Sequence, residues 1–518
     1  MKKDEVLKKS NKAFDNLIKV FKRIVKKTVK SLNEFGKMQF GKFNGKQVIG
    51  AVVVILLITF MLSLVGSGNK SLDYPVVYKS NDNKLLLLNV DSKVGKEVKL
   101  SGEGSATYVK YANTTDRYLL FVKNDGLYLY DAKSKEETTK IVSNISNYYK
   151  FTDDDKYIVM LDDNRNLYTY GFKGDKERLD SSVKGVEDMS NTNVLYSKDG
   201  ALYVAPLNAK KESVKVSETV NQARVTNDGK IVYYINSSKE LYKYNVSKDT
   251  SYKVDTNVSQ MFISKETGNM YYVTSEGNQY YTVYYYDKKN SEKMSSDVTS
   301  VLDVNVDEEQ LLYMTRDDEY KIYFKKGKKD AVKIDEKFES SPVTARIFDG
   351  KAIYYINAKK ELKYVKISGA KVNRVIKVSS DIDSELFLTK KGYVFVRGID
   401  GNSMGELYVA NGGKASKIDS NVYFSNIKVS TDGEKVYYIK DYKESTGTLC
   451  VSNNGKKGKE IAKDIYSYQY VNNDLLYYVK NYNLETNQGD LYRYDGKDEK
   501  LATDVNGVAT TPNGYVIK

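Results

Sequence analysis

VTNDGKIVYYINSSKELYKYNVSKDTSYKV, residues 225–254, opens on a turn, Asn227-Asp228-Gly229. Three short runs rich in Tyr and β-branched residues follow, with Asn, Asp, Ser and Lys at the breaks. That is strand and turn chemistry. The stretch returns as RIFDGKAIYYINAKKELKYV at 346–365 and as KVSTDGEKVYYIK at 428–440. Its apolar run recurs from VVYKS at 76 to YVIK at 515, at intervals of 37 to 43 residues. A fixed period of about 40 residues marks a repeat architecture.

Each period carries four strand signals; in 222–255 they are QARVT, IVYYI, ELYKYN and SYKVD. Four antiparallel strands every ~40 residues is the pattern of a β-propeller blade. The expectation is an all-β chain, a β-propeller array of about eleven four-stranded blades. Single propellers usually hold about four to eight blades, so two are expected, over 76–300 and 301–518, with one oversized or open ring as the alternative. The C-terminal strand is expected to complete the N-terminal blade. The 47 Tyr suit packing between blades with their hydroxyls wet.

The turns TNDGK (226–230), STDGE (430–434) and FDGK (348–351) each lead into an apolar strand. They resemble the SPDGK-type turn of TolB-like, WD-repeat-like propellers, with the Pro missing in all three. The resemblance spans 72–518 and is to exported, membrane-anchored propeller proteins of Gram-positive bacteria without an assigned function. It implies the fold and no activity.

The net charge of +14 is unevenly spread. Residues 1–47 hold 14 Lys/Arg against 4 Asp/Glu, and the remainder 68 against 64. A phosphate-binding face needs concentrated basic charge, so no nucleic-acid partner is expected. One cysteine, Cys450, and no His exclude an intrachain disulfide and an ordinary zinc site; no metal and no cofactor are expected.

Residues 48–66, VIGAVVVILLITFMLSLVG, are uncharged and long enough to cross a bilayer. They are expected to be a transmembrane signal anchor, followed by a linker over 67–75. The basic flank before the span places the N-terminus in the cytoplasm and 67–518 outside, in a single-pass cell-membrane protein. Within 1–47, Leu7, Phe14, Leu17, Ile18, Phe21, Ile24 and Val25 recur at helical steps among Lys. A basic amphipathic helix over 4–35, lying on the anionic inner leaflet, is expected there.

GNSMG at 401–405 matches the nucleophile elbow at Ser403. The elbow needs a strand-to-helix turn and a His, and this one sits between two strand signals. GKMQFGKF at 36–43 has Phe43 where a phosphate loop needs a hydroxyl. The acidic runs 153–155, 162–163 and 317–319 lack calcium-loop spacing. Tyr clusters, YYTVYYYD at 280–287 and YSYQYV at 466–471, read as blade packing or as faces for sugars and peptides.

The connections 397–408, 440–449 and 480–491 are longer than their counterparts elsewhere, such as 161–168. They carry Tyr442, Lys443, Tyr482 and Asn483, groups suited to ligand contact and poor at proton transfer. The reading is a membrane-tethered extracytoplasmic propeller without catalysis, binding or scaffolding an unknown protein or cell-wall glycan. The alternative is a carboxylate-dependent cell-envelope glycan hydrolase or lyase.

Overall fold

The structure, a computed structural model, describes Gln39–Phe40, Phe43–Asn44, Val76–Ser80, Leu85–Asn89, Lys96–Lys99 and most of 109–508. Every regular element among the described residues is a β-strand, and every pairing is antiparallel. Asp73–Lys518 is one compact unit and Met1–Leu72 another.

The repeat is legible strand by strand. Gln222–Val225, Ile231–Ile235, Leu241–Asn245 and Thr250–Asp255 pair in sequence order as one four-stranded sheet. Its Asn-Asp-Gly turn is built as the sequence predicts. Gly229 has φ 72°, its N–H donates to Thr226 O, and Thr226 Oγ1 donates to Asp228 Oδ1 at 2.7 Å. Three further four-stranded sheets precede it, from Val109–Tyr111 to Val214–Ser217.

Beyond Asp255 the expected array of discrete blades in two propellers is corrected. Val258–Ile263 to Val332–Phe338 form one seven-stranded sheet, and 344–379 a five-stranded one. Phe387–Thr389 begins a thirteen-stranded ladder that runs to Asp498–Val508, then to Val76–Ser80, and ends at Lys96–Lys99. The first and last repeats thus share a sheet, but no sheet closes on itself, and a propeller of separate blades is not supported. The resemblance to TolB-like propellers falls with it.

The physical reason lies at the junctions. Asp297, Asn421, Asp464 and Asp504 adopt left-handed φ of 52–58° inside the long strands Ser291–Asn305, Lys414–Val429, Lys459–Asn472 and Asp498–Val508. There the extra residue makes a bulge that bends the strand without ending it. At Asn144, Ser182 and Asn257 the same conformation falls between strands and separates the sheets.

The N-terminal architecture is corrected as well. Within 1–47 the described residues form a short hairpin, Gln39–Phe40 against Phe43–Asn44. Among the described residues no helix is long and apolar enough to cross a membrane. That finding leaves the single-pass anchor, the inner-leaflet contact, the cytoplasmic N-terminus and the extracytoplasmic placement without structural support. The spans 4–35 and 48–66 themselves lie outside the described residues.

The sheet 222–255 buries both faces, which is why its second strand is an unbroken apolar run. Val232 and Tyr234 pack with Leu195, Leu202 and Val204 of the preceding sheet. Tyr233 and Ile235 pack with Met261, Met270 and Tyr272 of the following one. Burying one such side chain contributes about 1.5–3 kcal/mol.

The tyrosines do two further jobs. Across the second and third strands they stack: Tyr234 on Tyr242 at 5.1 Å and Tyr272 on Tyr284 at 5.1 Å. Several buried hydroxyls are taken by aspartates. Tyr196 donates to Asp180 Oδ2 at 2.6 Å, Tyr272 to Asp255 Oδ2 at 2.7 Å, and Tyr438 to Asp419 Oδ2 at 2.9 Å. In each case the Asp lies 16 to 19 residues earlier, toward the end of the preceding repeat, so the bond ties repeat to repeat.

Candidate functional site

The three longer connections are extensions of the ladder. Lys435–Lys443 and Thr446–Asn453 continue as a hairpin across Glu444 and Ser445, at φ 49° and 69°. Two central residues with positive φ fit a type I′ turn, whose twist matches that of the strands it joins. Leu475–Asn483 and Gln488–Tyr494 form the next arm, and Gly392–Arg397 and Met404–Asn411 the one before.

Each of the two later arms has a bulge near its base, at Asp441 (φ 52°) and Asn481 (φ 55°). The residue after each bulge is a tyrosine, Tyr442 or Tyr482. Opposite them, the adjacent strands present Tyr423 and Tyr466, since Val422 pairs with Lys440 and Ile465 with Lys480. Tyr423 and Tyr442 stack with centroids 4.3 Å apart and planes 9° from parallel. Tyr466 and Tyr482 stack at 3.6 Å and 4°.

The two stacks are neighbours. Burial first, then the phenols of Tyr423 and Tyr466, raise the Tyr442 pKa. Burial and Tyr466 raise that of Tyr482. Both stay neutral phenols well above physiological pH. All four rings are half-buried, and Leu484 beside them is 54% exposed.

Glycines hold the arms over. A Cβ on Gly447 would lie 2.4 Å from Ile439 Cγ2 and 2.8 Å from Lys440 O. On Gly489 it would lie 2.6 Å from Val479 Cγ1 and 3.1 Å from Tyr482 Cδ2. Only a residue without a side chain lets each arm fold this closely onto its own strand.

Of the four residues expected to contact ligand, the structure brings Tyr442 and Tyr482 into this strip. Lys443 is exposed at the turn, with Nζ 3.4 Å from Glu444 Oε1. Asn483 builds the turn of its own arm: its Oδ1 accepts the N–H groups of Glu485, at 2.8 Å, and Thr486, at 3.1 Å. Sequence reasoning passed over Tyr423, which sits alone in NVYFS, and read Tyr466 only as one of a Tyr cluster. The signal was available in the spacing: Asn421-Val422-Tyr423 and Asp464-Ile465-Tyr466 repeat one pattern of bulge, buried aliphatic and ring.

The other candidates are used by the fold. Ser403 is in a hairpin turn at φ 63°, its carbonyl accepting the Phe424 N–H at 3.0 Å. Asp155 accepts Asn113 N–H at 2.8 Å and Thr114 Oγ1 at 2.6 Å, tying two repeats. No cluster of three metal-ligating side chains occurs among the described residues. A cavity of about 690 Å3 opens between Ile347, Phe348, Leu388, Thr389, Val429 and Ser430. Its hydroxyls are already engaged, Thr389 Oγ1 with Gly392 O and Ser430 Oγ with Asp432.

No protein-family model matches the chain. No curated protein matches it either. Among solved structures it is similar to one described as the crystal structure of the eukaryotic initiation factor, at 13% identity and TM-score 0.45. That match covers 76% of this chain and 97% of the other. It is also similar to the crystal structure of the tricorn protease, at 11% identity and TM-score 0.27, covering 83% of this chain and 58% of that one. Likeness at these levels defines neither the fold nor an activity of this chain.

Proposed function

We propose that the chain is a binding protein without catalysis, and that Tyr423, Tyr442, Tyr466 and Tyr482 are its ligand contact, flanked by Lys443 and Asn483. One observation carries this reading: the repeat is its own control. The device of left-handed residue, aliphatic residue and third residue also occurs at Asn144, Ser182, Asn257, Asp297 and Asp381. There the third residue is Ser146, Lys184, Ser259, Thr299 or Asp383. The fold therefore does not require tyrosine at this position; among the described residues two consecutive repeats have it, and both meet a second tyrosine on an extended arm. Half-exposed aromatic rings set on rigid strands are suited to recognition.

The absence of His supports the non-catalytic side of the reading, since proton transfer near neutral pH is its usual role. The single thiol, Cys450, is buried, and burial pushes its pKa up to about 12.

The test is an array of immobilised glycans and peptides probed with the whole chain. Tyr442→Ala/Tyr482→Ala should lose capture by about tenfold or more while retaining the circular dichroism of the parent. Turnover of an arrayed compound that survives the double substitution would overturn the reading.

A further inference from the structure

Resting on that reading, we infer that the tyrosine strip takes an uncharged glycan. Charge is the first ground. The arm 440–447 carries Lys440, Asp441, Lys443 and Glu444, and the arm 480–489 carries Lys480 and Glu485; each sums to zero. Several of these charges are also paired. Lys443 meets Glu444, and Lys440 lies 3.4 Å from Asp419 and 4.0 Å from Asp441. A polyanion needs a surplus of cations, and a cationic ligand the reverse. The strip offers neither.

Backbone availability is the second ground. An extended peptide gains most from adding a strand to an open edge. Here Lys435–Lys443 is paired on one side with Lys414–Val429 and on the other with Thr446–Asn453. Leu475–Asn483 is likewise paired on both sides. Only 441–443 and 481–483 run past that double pairing, and each is bulged, at Asp441 and Asn481, which leaves too short and irregular an edge for an added strand.

Within each stack the inner ring faces cover one another, so what remains for a ligand is neutral outer faces and ring edges bordered by hydrogen-bonding side chains. A pyranose ring has an apolar C–H face that packs on an aromatic ring and equatorial hydroxyls that point sideways. The phenol hydroxyls can donate or accept. The Asn483 Oδ1 is taken by its own turn, so what this exposed side chain can give a ligand is its Nδ2 donors. Asp441 is exposed and accepts from Asn421 Nδ2 at 3.2 Å. Stacks in adjacent repeats suit a chain of sugars rather than a single ring.

The experiment uses the full chain in native gels cast with neutral polysaccharides, followed by calorimetry with neutral hexasaccharides. A proline-rich peptide and heparin serve as comparison probes. The expected result is retardation by at least one neutral glycan, with an affinity changed less than about twofold between ~50 mM and ~500 mM salt, because no ion pair is screened. Tyr442→Ala and Tyr482→Ala should each weaken binding by about tenfold, and Tyr482→Phe, which keeps the ring and loses only the hydroxyl, should weaken it less.

Failure of every neutral glycan overturns the inference, as does binding that falls steeply with salt. Tyrosine-dependent capture of the proline-rich peptide alone also overturns it, and leaves the strip standing as a binding site. Glycan binding that survives Tyr442→Ala/Tyr482→Ala overturns the location, and with it the proposed function.

Discussion

The ring of Tyr466 lies on the ring of Tyr482 with centroids 3.6 Å apart and planes 4° from parallel. The two residues come from neighbouring strands whose register is fixed by the pairing of Ile465 with Lys480. Such a pair contributes about 0.5–1.5 kcal/mol beyond its buried area. Tyr482→Ala should therefore cost about 1 kcal/mol or less of global stability at this half-exposed site, while weakening ligand capture by about tenfold. Denaturant midpoints measured beside binding separate the two effects.

Gly447 tests whether the arm must be held in place. Gly447→Ala puts a methyl against Ile439 and the Lys440 carbonyl, and overpacking of this kind costs about 1–3 kcal/mol. Gly401, with nothing within 4 Å and no positive φ, is the control. Gly401→Ala should leave the unfolding midpoint within about 0.5 kcal/mol of the parent. Equal tolerance at both positions would show that the arm is not constrained by its glycine.

Tyr272 and Asp255 test the tie between repeats. Tyr272 is fully buried and its hydroxyl donates to Asp255 Oδ2. Tyr272→Phe should destabilise by about 1 kcal/mol. Asp255→Ala should cost more, because it takes the acceptor from a buried hydroxyl and leaves Ser291 as its side-chain partner. Urea unfolding gives the order, and the reverse order would count against the tie.

Glu361 and Glu406 give a dependence on acid. Lys377 and Lys363 hold the Glu361 carboxyl down to about 2, and Lys417, Tyr408 and Arg397 do the same for Glu406. Both groups bind protons less readily folded than unfolded, where the ordinary value is 4.5. Their contribution is full above that value and disappears as pH falls through about 2. Because the groups are largely exposed, the contribution is small. Glu361→Gln/Glu406→Gln should flatten the slope of stability between these limits, measured by denaturant unfolding at successive pH values.

Cys450 reports unfolding. It is the only thiol, is 2% exposed, and burial pushes its pKa up to about 12. An aromatic disulfide reagent at neutral pH should leave it unmodified in native buffer and titrate one thiol in denaturant. Rapid native labelling would mean that the sheet around Leu449 and Val451 opens readily.

The sequence by itself determined the period, the strands and the turns. Asn227-Asp228-Gly229 requires left-handed backbone at Gly229, and IVYYI has no polar position to give to water, so both were readable locally. It also located two of the four strip tyrosines, because arm length shows in the sequence. Tertiary structure decided the rest. Whether Asp297 ends a strand or bulges it depends on the pairing available on both sides, and so did the merging of repeats into longer sheets. Glu444-Ser445 gives no usual hairpin signal; the twist of the flanking strands imposes its turn. Tyr423 meets Tyr442 only because Val422 pairs with Lys440, a long-range register that no local pattern specifies.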